Sequence, residues 1–256
     1  MSLRRILVAV DATPASLAAL EAAADLAMRR RAELTAVFVE DANLLRLAAH
    51  PGVVAVSLMS ARRQPLEPAM VETALRARVA QARRAVEAAA GRRRIGFAFS
   101  VRRGRVDAEV LAAAEDADLL LLGWAGGSAG GHLGGITRAL LERSSRPLFL
   151  LRGAVRPAHP VLVAYDGTPA CDRALRLAAE IARRDGGVVE VLAAEDGLEE
   201  RVRATLADSG LEVRLRRLGG EGLAAAARKS PGCVLVLGGR ADQRLAGLPC
   251  SVVVVR

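Results

Sequence analysis

The chain has 256 residues, 52% of them hydrophobic and 2% aromatic, with a formal net charge of +9. Its length and apolar content suffice for one large or two small cored domains, but its apolar runs fall far short of the roughly 18 residues that span a bilayer. The positive charge is arginine, since Lys229 is the one lysine; with so few aromatics to stack on bases, neither nucleic acid nor a membrane is an expected partner.

The opening "MSLRRILVAVDATPA" has two arginines before an apolar run, as an export signal does. Its apolar part, Ile6 to Val10, is too short and is ended by Asp11, so a cytoplasmic protein is expected. Cys171, Cys233 and Cys250 show no ligand spacing and an odd count, which argues against metal and disulfide frameworks and for a reducing compartment. Ile6–Val10 reads as a buried strand, after which Thr13 is a natural N-cap and Pro14 a natural first helical residue. Leu17, Leu20, Ala24 and Ala27 recur at helical spacing, and a second apolar strand follows, closing at Glu40.

Residues 41–94 resemble an insertion. Within them Val71–Ala90 is an amphipathic helix with Val71, Leu75, Val79, Ala82 and Val86 on one face. A cover for the sheet is the expected role, ahead of a lid or partner surface, and Arg92, Arg93 and Arg94 are expected in a solvated loop. Phe97–Gly123 then reads as strand, glycine turn, short helix and a buried strand "LLLLG". Seven glycines lie between Gly123 and Gly135. Such a loop leading into a helix N-terminus can enclose a phosphate with successive backbone N–H groups. A short helix and the apolar strand "PLFLLR" follow, then the proline-bearing linker "GAVRPAHP".

From Val161 the chain repeats itself. "VLVAYDGTPACDRALRLAAEIARRDGGVVEVLAAE" realigns on Ile6–Glu40, so that Asp166, Thr168 and Pro169 stand where the first half has Asp11, Thr13 and Pro14. Leu175, Ala178, Ala179 and Ala182 repeat the apolar helix face. Val213–Gly239 parallels Phe97–Gly123, and "CSVVVVR" parallels "PLFLLR". The long interval Trp124–Arg146, however, shrinks to Gly239–Pro249, which removes the glycine cradle and most of the helix behind it. Uniformly apolar strands alternating with helices imply an α/β fold with parallel sheets covered on both faces. Two tandem domains are expected, residues 1–153 and 160–256, of about five strands each. Their terminal strands are apolar, and an uncovered apolar edge invites association.

The chain resembles the universal stress protein family, in its tandem form, over nearly all of both halves. Nucleotide-binding members carry Gly, two residues, Gly, nine residues, then Gly followed by Ser or Thr. Here Gly123 and Gly126 match the first two glycines and Thr137 the hydroxyl, while Ile136 stands at the third glycine. The resemblance implies Rossmann-like domains of the adenine nucleotide alpha hydrolase type. In the family the terminal strands pair between subunits, so here the two are expected to pair with each other as an intramolecular pseudo-dimer, with which a homodimer of whole chains is compatible. The resemblance also implies that Asp11 and Val39 line the adenosine side of a cleft, Val39 packing on the base. Gly123 and Gly126 would shape the ribose–phosphate turn, and the backbone at Ile136 and Thr137, with the Thr137 hydroxyl, would meet the phosphates. A helix-entry carboxylate at Asp11 and a core residue at Val39 are the plainer readings.

A β-branched residue at a glycine position disfavours positive φ and adds bulk, and the loop has no arginine or lysine between Gly123 and Thr137, only His132. The expected function is therefore a stress-response protein binding ATP or a related adenine nucleotide weakly, in the first half alone. The alternative is an adaptor with a degenerate pocket and a protein partner that the residues do not identify. No P-loop, HExxH or motif-placed Ser/His/Asp set is present, so an enzyme is not expected.

Overall fold

The computed structural model describes residues 3–56, 61, 63–124, 134–153, 160–182, 187–218, 222–239, 245 and 247–256. The first half runs β1 (Arg5–Ala9), α1 (Pro14–Arg30), β2 (Glu33–Asp41), α2 (Ala42–Ala48), β3 (Val54–Val56), β4 (Arg63–Pro65), α3 (Pro68–Arg93), β5 (Phe97–Gly104), α4 (Val106–Ala114), β6 (Leu119–Gly123), α5 (Gly135–Arg143) and β7 (Leu148–Leu151). The second runs β8 (Val161–Tyr165), α6 (Pro169–Ala182), β9 (Val188–Ala193), α7 (Glu199–Leu206), β10 (Glu212–Arg217), α8 (Gly222–Arg228), β11 (Val234–Gly238) and β12 (Ser251–Val255). The linker residues 154–159 lie outside the described residues.

Apart from the β3–β4 hairpin, all strands join one ten-stranded sheet in the order β10-β9-β8-β11-β12-β7-β6-β1-β2-β5. Five strands of each half are mutually parallel, and the halves meet where β12 runs antiparallel to β7. There Val252 faces Leu150, Val253 faces Phe149 and Val254 faces Leu148. The expected pairing of the terminal strands is thus present, and it removes the two edges most liable to associate.

Alternate residues of each strand point to opposite faces. Ile6, Val8, Leu119 and Leu121 join Val161, Val163 and Val236 under one helical layer, while Leu7, Leu120, Leu162 and Leu235 lie under the other. Both core layers run unbroken from one half to the other. Polar contacts reinforce the seam. Arg30 of α1 pairs with Glu180 of α6 at 2.9 Å, both largely buried. The arginines that close each half reach into the opposite one: Arg152 donates to the Leu248 carbonyl and Arg256 to that of Leu141.

The helix entries form as their residues dictate. Thr13 Oγ1 accepts from the Ser16 N–H and donates to Asp11 Oδ1 at 2.6 Å. Thr168 does the same with Cys171 and Asp166, the latter at 2.7 Å. Between Asp and Thr the chain turns through the left-handed region in both halves, at Gly167 (φ 77°) and at Ala12 (φ 62°). Glycine adopts that conformation freely, whereas alanine is strained there.

Candidate functional site

In open α/β sheets the crevice for a ligand lies at the carboxyl ends of the strands, where the chain order reverses. In the first half that point is between β1 and β6, since the chain builds outward from β1 to β2 and β5 before returning to β6. A cavity of about 430 Å³ lies there. Its lining includes Asp11, Val39, Gly123, Ile136 and Thr137, five of the six residues singled out from the sequence. The sixth, Gly126, lies outside the described residues, as does His132.

Each reaches the cavity by a different route. Asp11 follows β1, and its carboxylate is exposed on one side. Oδ1 accepts the Thr13 N–H at 3.0 Å as well as the Thr13 hydroxyl. Burial pushes this carboxyl up, but the Ser16 and Thr13 hydrogen bonds and the charge of Arg78 outweigh it and hold it below the usual carboxylate value. Val39 lies near the end of β2 beside Val37 and Phe38, and Leu122, Val110 and Leu140 complete an apolar wall.

Gly123 ends β6 where the strand meets the start of α1. A Cβ there would lie 2.3 Å from the Ala15 carbonyl carbon and 2.6 Å from the Ser16 nitrogen. Gly238 repeats this in the second half, with a Cβ 2.6 Å from the Cys171 nitrogen. Since the second half has the shortened loop, close helix–strand packing is by itself reason enough for glycine at both places.

Ile136 lies in the first turn of α5, half-exposed, and is not among the residues with positive φ. The expected conflict between a β-branched side chain and a left-handed backbone therefore does not arise; only bulk at the cavity mouth remains. Gly134 precedes the helix, and no side chain caps it. The first intrahelical bond is Arg138 N–H to the Gly134 carbonyl at 3.0 Å, so the N–H groups of Gly135, Ile136 and Thr137 have no partner within the helix. Among the described residues, a Cβ built at Gly134 or Gly135 would meet nothing within 4 Å, so none of them obstructs these donors.

The orientation of α5 is set from its other end. Asp107, buried at the start of α4, accepts from Arg105 at 2.9 Å and from Arg143, in the last turn of α5, at 3.0 Å. The Arg105 guanidinium, helped by Arg143, holds the Asp107 carboxyl below its ordinary value although burial opposes this.

Sequence reasoning missed the third wall of the cavity. Leu44 of α2 and Leu75 and Arg78 of α3 all line it. Residues 41–94 thus cover the sheet, as expected, and also border the cleft, but α3 itself is not an insertion, because α7 takes the same place between β9 and β10 in the second half. A signal existed: Leu75 is on the apolar face of α3, and Arg78 stands three residues on, where helical side chains are neighbours.

Trp124, just after β6, is buried, with the Arg152 guanidinium 5.2 Å from its ring centroid. It packs in the core layer with Leu140 and Leu248 and is not part of the cavity lining.

In the second half, no α-helix occurs among the described residues between β11 and β12. Where the first half has Val10 and Leu17, the second has Tyr165 and Asp172. Tyr165 donates its phenol to Asp172, and Arg201 of α7 pairs with the same carboxylate at 2.6 Å. The Arg201 guanidinium pulls the Asp172 carboxyl below its usual value against burial. Burial and the neighbouring carboxylate push the Tyr165 phenol up to about 12.

No helix among the described residues is long and apolar enough to cross a membrane. The model of the Universal stress protein family matches residues 2–152 and again residues 157–230. Among solved structures, a universal stress protein from Archaeoglobus fulgidus superposes with a TM-score of 0.76 at 16% identity, covering 99% of this chain and 98% of that one. A functionally unknown protein from Pseudomonas aeruginosa superposes with a TM-score of 0.55, also at 16% identity, covering 99% and 92%. At such identities the likeness is one of fold. A comparison with curated proteins by sequence found no match.

Proposed function

The chain belongs to the universal stress protein family, and from that premise we propose that it binds ATP or a related adenine nucleotide at one site, in its first half, without turning it over. The observation that carries the reading is the cavity at the β1–β6 reversal, into which the uncapped α5 N-terminus opens. Its volume, about 430 Å³, is within the range of small-molecule sites, roughly 300–1,000 Å³.

The residues present suit such a ligand by their chemistry. The Val37–Val39 and Leu122 wall would take the base, and the ionised Asp11 would accept from a ribose hydroxyl. The open N–H groups of α5, with the Thr137 hydroxyl, would meet phosphate at the positive end of the helix dipole. Ile136 at the mouth keeps that contact weak. In the second half, no α-helix stands among the described residues between β11 and β12 to supply equivalent donors. We place the protein in a reducing cytoplasm, consistent with Cys171, Cys233 and Cys250 all being unbridged.

Calorimetric titration with ATP tests the reading. We expect one site per chain, and an affinity that falls about tenfold in Thr137→Val through loss of a hydrogen bond to a charged group. Ile136→Gly should tighten binding. Trp124 fluorescence should respond only indirectly, given its place in the core. A flat titration to millimolar ATP would reject nucleotide binding and leave the adaptor reading in its place.

A further inference from the structure

The two halves differ in how an arginine of the crossover helix is met at the end of the first strand. In each half, one helix links the second strand of the sheet to its edge strand and packs on the first helix: α3 on α1, and α7 on α6. In the second half Arg201 of α7 is neutralised at 2.6 Å by Asp172 of α6, which also receives the Tyr165 phenol. The first half carries Leu17 and Val10 at the corresponding positions, so α1 and β1 offer neither carboxylate nor phenol. Arg78 of α3 instead lines the cavity, where its charge acts on Asp11 without a hydrogen bond or close ion pair among the described residues.

Two carboxylates share the cavity with it, and both have local work. Asp41 Oδ1 accepts the Asn43 N–H at 2.8 Å and caps α2. Asp11 Oδ1 accepts from Thr13. An arginine that feels the Asp11 charge but has no bonded partner among the described residues, and that lines the same cavity as the α5 N-terminus, is a cation available to a ligand. A guanidinium matches phosphate oxygens with two parallel N–H groups.

We propose that Arg78 is the side chain that makes this cavity select phosphorylated nucleotides over neutral nucleosides, by contacting the phosphate end of the ligand from the α3 side. The proposal rests on the nucleotide reading above and adds a residue outside the glycine loop. It also gives α3 a function that a mere cover for the sheet would not have. Because Arg78 is exposed at the rim, its contribution should be screened by salt.

The test compares adenosine, AMP and ATP by calorimetry on the full chain, in the native protein, Arg78→Gln, Arg78→Lys and Arg201→Gln. We expect Arg78→Gln to weaken ATP about tenfold while moving adenosine less than about twofold, as loss of a single charge-assisted contact should. Arg78→Lys should restore most of the ATP affinity, and the native preference for ATP over adenosine should shrink at high salt. Arg201→Gln should leave all three affinities unchanged. If Arg78→Gln weakens adenosine and ATP alike, or neither, Arg78 is only part of the wall and the proposal is overturned while nucleotide binding stands. If no ligand binds the native chain, the nucleotide reading fails and this proposal falls with it.

Discussion

The two halves of this chain share a strand order, a helix entry and a seam, yet they close their clefts in opposite ways. The second half fills the space between its first strand and crossover helix with a bonded Tyr165–Asp172–Arg201 network, and no α-helix is described between its last two strands. In the first half Val10 and Leu17 occupy the matching positions, an arginine faces a cavity, and the N-terminus of α5 is left uncapped. Features present in both halves are therefore requirements of the fold, and features present in one alone are candidates for function. By that criterion Asp11, Thr13 and Gly123 have structural reasons of their own. Arg78, Thr137 and the open donors of α5 have none.

The largest expected effect would test the shared class. Gly123→Ala and Gly238→Ala each force a Cβ against helix backbone, at 2.3 Å and 2.6 Å. Overpacking against backbone that cannot yield should destabilise each variant by about 3 kcal/mol in urea unfolding. A Gly123→Ala protein that keeps its unfolding midpoint but loses ATP binding would move that glycine to the functional class.

A smaller effect should mark the network that only the second half has. Asp172→Asn leaves Arg201 unpaired and should cost about 1–2 kcal/mol near neutral pH. The Asp172 carboxyl is held below its ordinary value in the folded protein. Its contribution is therefore complete above the unfolded value near 4 and is lost as pH falls through the folded one, so native and variant should converge in acid. Tyr165 runs the other way: its phenol is pushed up to about 12, so its contribution is present below about 10 and disappears as pH rises toward 12. Unfolding midpoints across pH for the native chain, Asp172→Asn and Tyr165→Phe read out both windows. A gap between native and Asp172→Asn that is independent of pH would break the assignment.

The smallest effect concerns the left-handed residue between Asp and Thr. Ala12→Gly should stabilise the chain by about 1 kcal/mol by relieving strain at φ 62°. Gly167→Ala should destabilise by at least as much, since its Cβ would also approach Leu198 Cδ2 to 3.1 Å. Equal and negligible changes in both would mean that the turn relaxes freely. If Ala12→Gly is more stable yet binds ATP less well, the strain serves the site.

Much of this molecule was legible from residue order, because the relevant forces act locally or through pattern. Apolar runs such as Leu119–Leu122 and Val252–Val255, short and alternating with helical segments, read as strands buried on both faces. Thr-Pro after an apolar strand starts a helix wherever it occurs, and the repeat of Ile6–Glu40 at Val161–Glu195 sets the two-domain plan. The apolar character of the terminal strands demanded a cover, and the family resemblance pointed to each strand as the cover of the other. The cleft was legible only in part. That Asp11, Val39, Gly123, Ile136 and Thr137 line one cavity follows from strand order, which periodicity does not encode. The backbone of Ile136 was misjudged, since whether a residue at the end of a loop is left-handed or already helical depends on where α5 begins. That position is tied to Asp107 through Arg143, which is remote in the chain. Nothing in the residue order sets Arg78 or Asp172 apart from the other polar positions of their helices. Which arginine is neutralised and which is left facing a cavity is decided by side chains on separate elements brought within a few ångströms, and such a distance exists only once the sheet has assembled.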